Sequence, residues 1–215
     1  MRSFLVRALA ISLLSSLVLM TWLVLQEQRA SAFPHDNSQK PQELTALDSA
    51  GKFNLYEVKS SWTDQNSNSV NFNKFSGKPA LVGFIYTTCV LTCDILTLQM
   101  KELESLLPQK WQGKIQFITF SIDPETDTPE KLHKYAARFD ALSESWSFLT
   151  SSKEATKEMT KQFSFYYQKN GDVFLHSEML AVIDKNGNLV HQFWGGYSPE
   201  KVVTVFQQLK HKGLF

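Results

Sequence analysis

Residues 80–107 read ALVGFIYTTCVLTCDILTLQMKELESLL, and this stretch decides the fold. Its first part, Ala80–Tyr86, is a continuous apolar run, which is typical of a strand buried on both faces of a parallel sheet. Its last part, Asp94–Leu107, has apolar residues at helical spacing and is followed by a proline, which cannot continue a helix. Cys89 and Cys93, the only two cysteines of the chain, therefore lie where a buried strand gives way to a helix.

Strand and helix signals alternate along the rest of the chain. Further strands are predicted at Phe53–Val58, Val70–Phe75, Ile115–Ile122 and Trp146–Leu149, and further helices at 129–139, Ser152–Phe163 and 200–211. Met179–Asp184 and Leu189–Trp194 flank a KNGN turn signal and are predicted to form a β-hairpin. This order predicts an α/β fold, a thioredoxin-like sandwich with an added N-terminal hairpin. Functional groups of such a sheet lie at the carboxyl ends of its strands.

Composition and charge narrow the class of protein. The chain has 215 residues, of which 43% are hydrophobic and 13% aromatic, enough for one well-filled core rather than a disordered segment. Its 22 basic and 21 acidic residues give a formal net charge of +1, so it lacks the basic excess of a nucleic-acid-binding protein. Two cysteines are too few for a disulfide-stapled scaffold.

The N-terminal residues 1–25 are predicted to engage a membrane. Ala8–Leu25 is an uncharged apolar run preceded by Arg2 and Arg7, and as a helix it would cover most of a bilayer core of about 30 Å. It is either a retained anchor or a signal segment removed after the small residues 30–32. Basic residues stay on the cytoplasmic side, so the remainder is expected outside the cytoplasm, on the periplasmic side of a bacterium. Residues 26–48 are a polar linker, and 49–215 form one domain.

The two cysteines are candidates for redox or metal chemistry. N–H groups at a helix start favour the thiolate form, which is both the nucleophile and the metal ligand. A structural disulfide is disfavoured, because closing so short a loop removes only about 2 kcal/mol of chain entropy. The CxxxC spacing leaves room for an ion, and soft thiolates suit Cu(I).

A third ligand would come from a histidine. Of the five histidines, His176 has the best position, because it precedes the strand predicted at 179–183 and follows a predicted loop, FYYQKNGDVFL. His133 and His191 are more simply explained as a helix-surface and a sheet-face residue. From the residues alone, ligation by His176 stays open.

Three segments resemble the Sco/SenC family in order and spacing: GFIYTTCVLTC, FSIDPETDTPEKLHKYAARF and LHSEMLAVIDKNGNLV. The resemblance covers about residues 50–212. It implies a membrane-anchored thioredoxin-fold protein that carries copper, as Cu(I) or Cu(II), toward the copper-site subunit of a cytochrome c oxidase, or acts there as a thiol-disulfide reductase. The copper ligands implied are Cys89, Cys93 and His176, with Asp123 as an acidic neighbour of the site.

Two residues depart from the family pattern, and more than one function remains. Asp94 stands where proline is common, and Leu175 where an acidic residue is common; the first opposes thiolate formation, and the second removes a partner for the imidazole. One hypothesis is a copper chaperone. Another is an extracytoplasmic thiol-disulfide oxidoreductase that uses Cys89 and Cys93 without metal, which leaves enzyme status open. A third is a module that only binds a partner protein.

Overall fold

A computed structural model describes residues 53–89, 91–171, 173–211 and 213, all of which belong to one compact unit. The predicted membrane segment 1–25 and linker 26–48 lie outside the described residues. Among the described residues, no helix combines the length and the apolar character needed to cross a bilayer.

The described chain alternates between strands and helices. The strands are β1 (Trp62–Asp64), β2 (Ser69–Val70), β3 (Ala80–Ile85), β4 (Gln116–Ser121), β5 (Trp146–Thr150), β6 (Tyr167–Asn170), β7 (Val173–His176), β8 (Met179–Ile183) and β9 (Leu189–Trp194). The helices are α1 (Thr92–Leu106), α2 (Pro129–Arg138), α3 (Lys153–Gln162) and α4 (Pro199–His211). Short 3₁₀ turns occupy Leu55–Glu57, Phe72–Phe75 and Gln109–Trp111.

Seven strands form one mixed sheet in the order β2-β1-β5-β4-β3-β8-β9. Strands β3, β4 and β5 are parallel neighbours, whereas β8 pairs antiparallel with β3 and β9 antiparallel with β8. All six residues of β3 are buried, as its uninterrupted apolar sequence predicts, and all six of β4 are buried although Gln116, Thr119 and Ser121 are polar. Both parallel strands therefore deliver their carboxyl ends to the same edge of the sheet.

The helix and hairpin predictions from residue 80 onward are confirmed within one or two residues at each boundary. The start of α2 illustrates the cause: the Thr128 side chain accepts a hydrogen bond from the Lys131 backbone N–H, and Pro129 occupies the first turn. The KNGN turn joins β8 to β9.

The strand predictions at Phe53–Val58 and Val70–Phe75 are wrong. Leu55–Glu57 and Phe72–Phe75 form 3₁₀ turns instead, and only Val70 belongs to a strand. In each case an asparagine starts the turn: Asn54 accepts from the Tyr56 N–H and Asn71 from the Asn73 N–H, each at 2.9 Å. Such local side-chain bonds compete with sheet pairing. The short hairpin that the structure does contain is formed by β1 and β2.

The predicted loop before His176 is also corrected, because it is a two-stranded hairpin of β6 and β7. Gly171 has a φ of +62° at the turn, a left-handed conformation that glycine adopts without strain. The hairpin is held by aromatic packing of Phe174, whose ring centroid lies 5.0 Å from that of Tyr86 and 6.1 Å from that of Tyr167. His176 is thus carried on a strand rather than on a free loop.

Helix α1 packs closely on β3 at Gly83. A Cβ atom added there would lie 3.2 Å from the Met100 sulfur and 3.3 Å from a Leu96 methyl, tighter than most van der Waals contacts. Beside it, the Phe84 ring stacks on Phe165 at 4.5 Å and on Phe120 at 5.5 Å. The absence of a side chain at residue 83 therefore sets the distance between the strand and the helix that carry the cysteines.

We expect Gly83→Val to lower the free energy of unfolding by about 1–3 kcal/mol, because its branched side chain overpacks the contact with α1. Urea denaturation of the fragment 45–215 measures this. Gly196→Val is the control, because a Cβ atom at Gly196 meets nothing within 4 Å. Equal stability of the two variants would contradict the close packing described above.

Candidate metal centre

The structure brings Cys89, Cys93 and His176 together. The two sulfurs and a ring nitrogen of His176 all lie within 4.8 Å of one another, and no other group of three such residues forms a cluster of this kind in the described part of the chain. Cys89 follows β3, Cys93 lies in the first turn of α1, and His176 ends β7. Neither cysteine forms a disulfide.

Hydrogen bonds converge on the Cys89 sulfur. It lies 3.2 Å from the Thr92 hydroxyl, and it accepts a hydrogen bond from the Cys93 backbone N–H at 3.4 Å. These donors exist because α1 begins within one turn of Cys89. The pKa of Cys89 is lowered to about 3. The largest cause is a hydrogen bond from the Cys93 thiol, and the Thr92 hydroxyl lowers the pKa further, whereas burial raises it. Cys89 is therefore a thiolate at neutral pH.

Cys93 has the opposite character. Its pKa is raised, first because its thiol donates to the Cys89 sulfur and second because it is only 1% exposed. The Asp94 carboxylate adds to this rise, the effect predicted for a negative charge near the cysteines. Asp94 itself accepts a hydrogen bond from Arg138 at 2.7 Å, which offsets part of its charge. The pair thus consists of one thiolate and one thiol that stabilise each other.

His176 presents Nε2 to this pair. Its Nδ1 lies 2.8 Å from the Ser177 carbonyl, which can only accept, so Nδ1 carries the proton and Nε2 has the lone pair. Nε2 lies 3.4 Å from the Thr92 hydroxyl, and the ring stacks on Phe165 at 6.0 Å. A backbone carbonyl therefore fixes the imidazole, while Leu175, at the position where an acidic partner is common, points outward and is 55% exposed.

A second acid, missed by sequence reasoning, contacts the cysteine loop. The buried Asp127 carboxylate accepts hydrogen bonds from the Thr87 N–H and hydroxyl and, at 2.6 Å, from the Ser121 hydroxyl. Burial raises its pKa, and the charge of Asp123 adds to that rise. Asp123 is buried where β4 ends, and its backbone carbonyl accepts from the Thr126 and Asp127 N–H groups. That Asp123 tunes the cysteines stays a prediction. The second aspartate of DPETDT was the only sequence signal for Asp127.

The other histidines lie elsewhere. His133 is an exposed residue of α2 whose Nδ1 is 3.2 Å from the Asn66 side-chain oxygen, and His191 faces Val182 in the β8–β9 pairing. His211 ends α4, and His35 lies outside the described residues.

A cleft of about 220 Å³ opens beside the site. Its walls include Cys93, His176, Ile95 and Tyr197, together with the backbone of Gly195 and Gly196. The glycines leave open space there, since a Cβ atom at either would meet nothing within 4 Å. The Tyr197 hydroxyl is buried without a hydrogen-bond partner among the described residues. A second molecule can therefore approach His176 and the Cys93 side of the site through this cleft.

Two sulfurs and one imidazole nitrogen are a soft, low-coordinate donor set, which fits copper better than harder ions such as Mg²⁺ or Ca²⁺. The same geometry allows thiol exchange, since Cys89 is a thiolate and Cys93 is near enough to share a proton with it. Both chemistries agree with the local structure.

We expect Cys89 of the reduced, metal-free protein to react with iodoacetamide at pH 6 about tenfold faster than Cys93, because only Cys89 is ionised there. Peptide mass spectrometry after timed quenching measures the two rates. Cys93→Ala should shift the Cys89 reaction to higher pH, since its main donor is lost, whereas Cys93→Ser keeps a hydroxyl donor. Equal rates for the two cysteines would show that the asymmetry is absent.

Comparison with known proteins agrees with this geometry. The SCO1/SenC family model matches residues 50–211. An SCO2-like protein of Rickettsia prowazekii is 30% identical over 173 residues, which covers 74% of this chain and 82% of the relative. An SCO1 protein homolog of Bacillus subtilis is 28% identical over 145 residues, which covers 65% and 75% respectively.

The fold also matches a solved structure, Bradyrhizobium japonicum ScoI with copper bound. It is 26% identical with a TM-score of 0.60, and the alignment covers 69% of this chain and 96% of that one. The thioredoxin-like α/β fold predicted from the order of strands and helices is thereby confirmed. Since the family model spans the cysteine loop, α1 and the hairpin of His176 in a single match, the chain belongs to the SCO1/SenC family.

Proposed function

We propose that this protein is a copper-binding assembly factor that delivers copper to the copper site of a cytochrome c oxidase or maintains the thiols of that site. The observation that carries the proposal is the convergence of the Cys89 and Cys93 sulfurs and a ring nitrogen of His176 within 4.8 Å of one another. These residues would hold one copper ion, and the Thr92 hydroxyl would lie beside two of the ligand atoms, the Cys89 sulfur and Nε2 of His176.

Relatives support copper and the oxidase as the biological context. ScoI of Bradyrhizobium japonicum was solved with copper bound. BsSco, whose fold matches this chain with a TM-score of 0.60 at 24% identity, is a member of the Sco family of cytochrome c oxidase assembly proteins. The expected partner is the oxidase subunit with the copper site, or another protein that offers thiols to copper.

Transfer by ligand exchange agrees with the burial of the site. Cys93 is buried and helix-bound, which favours retention, whereas His176 is only half-buried and borders the cleft. Incoming thiolates from a partner would thus displace the imidazole first, then the sulfur of Cys89 and finally that of Cys93. The proton shared by Cys93 and Cys89 leaves when the ion binds and returns when it departs.

Thiol-disulfide exchange is the second candidate, favoured by the unequal cysteines. The Cys89 thiolate would attack a disulfide of the partner, forming a mixed disulfide and releasing one partner thiolate. Cys93 would then lose its proton and attack the Cys89 sulfur, so that this protein ends oxidised and the partner fully reduced. No histidine takes part in these steps.

We propose that residues 1–25 attach the domain to a membrane, with the domain on the periplasmic side. The support is the uncharged run Ala8–Leu25 after two arginines. If the segment is removed as a signal peptide, the domain is soluble in the same compartment.

We expect the reduced fragment 45–215 to bind one copper ion per chain and the Cys89→Ser/Cys93→Ser variant to bind none, because thiolates are the ligands. His176→Ala should weaken binding by at least about tenfold, since even outer partners of a ligand are worth that much. His133→Ala, an exposed histidine 3.2 Å from Asn66, is the matched control. Metal analysis after competition with a Cu(I) chelator gives the affinities. Copper uptake unchanged in the double serine variant would end the proposal.

The two candidate functions respond differently to loss of the histidine. If thiol exchange is the task, His176→Ala should reduce a test disulfide at a rate within about twofold of the unchanged protein, because the nucleophile and the resolving thiol remain. A stopped-flow assay with a dithiol-disulfide peptide measures this rate without copper. A rate that falls together with copper affinity would assign His176 a part in both processes and remove the distinction.

A further inference from the structure

A basic cleft lies away from the metal centre. Its volume is about 370 Å³, and four lysines line it together with an aromatic residue: Lys78, Lys110, Trp111, Lys114 and Lys210. We call these five residues the lysine face. All four lysines are exposed, none forms an ion pair within the described part of the chain, and no acidic side chain lines the cleft. Such an uncompensated positive surface favours an anionic partner.

An aromatic ring accompanies these charges. The Lys110 ammonium lies 5.9 Å and that of Lys210 5.8 Å from the Trp111 ring centroid. Lysines packed against an indole ring are typical of surfaces that lie at a membrane interface.

The lysine face and the metal centre occupy opposite ends of the sheet. Lys78 and Lys114 precede the first residues of β3 and β4, whereas Cys89 follows the last residue of β3. The two parallel strands have six residues each, so about 20 Å separates their ends. A molecule that covers the lysine face therefore leaves the cysteines accessible.

The chain reaches the domain at the end where the lysines lie. The Leu55 N–H donates to the Gly187 carbonyl at 2.8 Å, and the Gly77 N–H to the Lys185 carbonyl at 3.0 Å, which places residue 55 and the β8–β9 turn next to the start of β3. Upstream in the sequence lie the polar residues 26–48 and, before them, the apolar run Ala8–Leu25.

We propose that the lysine face binds the anionic phospholipid headgroups of the membrane to which residues 1–25 attach the chain. This inference rests on the proposed membrane attachment and is independent of copper. Attachment through residues 1–25 keeps the domain close to the bilayer, so weak attraction of several lysines is enough to orient it. The bound domain presents Cys89, Cys93 and His176 away from the lipid, toward the partner.

Lysine acetylation with an N-hydroxysuccinimide ester, read residue by residue by mass spectrometry, tests the orientation on the full chain in nanodiscs. Discs of phosphatidylcholine alone are compared with discs that also contain phosphatidylglycerol. We expect the anionic lipid to slow acetylation of Lys78, Lys110, Lys114 and Lys210 by about fivefold or more. Lys131, Lys157 and Lys161, exposed residues of α2 and α3, serve as internal controls and should not change. High salt should remove the protection, because it screens exposed charges.

Charge reversal gives the matched variants. In Lys110→Glu/Lys114→Glu/Lys210→Glu, the protection of Lys78 by anionic lipid should disappear, whereas it should persist in Lys131→Glu/Lys157→Glu/Lys161→Glu. Copper affinity of both variants should equal that of the unchanged protein, which separates this proposal from the metal site.

Three outcomes would overturn the proposal. The first is equal acetylation of the lysine face in both kinds of disc, and the second is equal protection of Lys78 in both charge-reversal variants. The third is protection by soluble poly-glutamate without any by phosphatidylglycerol, which would assign the face to an acidic polypeptide. Flotation of the full chain with phosphatidylcholine vesicles tests the attachment by residues 1–25 separately.

Discussion

The hydrogen bonds to the Cys89 sulfur are the constraint around which this site is arranged. They require a helix start within one turn of the sulfur, because only there do a free N–H group and the Thr92 hydroxyl point at it together. They also require a second thiol that keeps its proton, and the burial of Cys93 supplies this condition. The sharp change from β3 to α1, within the segment between residues 85 and 92, follows from these two requirements.

The buried carboxylate of Asp127 extends the same constraint into the neighbouring strand. Removing an acid from water is costly unless its oxygens are hydrogen-bonded, and here the Thr87 N–H and the hydroxyls of Thr87 and Ser121 satisfy them. Because Thr87 precedes Cys89 by two residues and Ser121 ends β4, the acid ties the cysteine loop to the adjacent strand end. The parallel pairing of β3 with β4 is what allows one side chain to reach both.

The third donor depends on packing of a different kind. His176 is placed by a two-stranded hairpin that lies outside the main sheet, and the contact between Phe174 and Tyr86 joins this hairpin to the end of β3. Tyr86 also approaches the His176 ring, with centroids 5.9 Å apart. The nitrogen is therefore positioned by aromatic contacts on the residue that leads into the cysteine loop, so the same strand end organises all three ligand atoms.

Much of the fold could be predicted from the sequence, because β3 is an uninterrupted apolar run and side chains cap the starts of α2 and α3. Ala80–Ile85, the Thr128 cap and the KNGN hairpin turn depend on neighbouring residues, and their positions were confirmed. The strand predictions from alternating apolar residues were wrong where the side chain of Asn54 or Asn71 forms a local hydrogen bond that starts a 3₁₀ turn. The sequence alone also singled out the two cysteines, their place at a strand end and His176 as a candidate, and the family resemblance narrowed their role. Only the tertiary structure decided which nitrogen of His176 faces the sulfurs, that Asp127 contacts the cysteine loop, and that four lysines from three segments share one cleft. These features join residues far apart in the chain, and such contacts leave no periodic signal that local propensity can reveal.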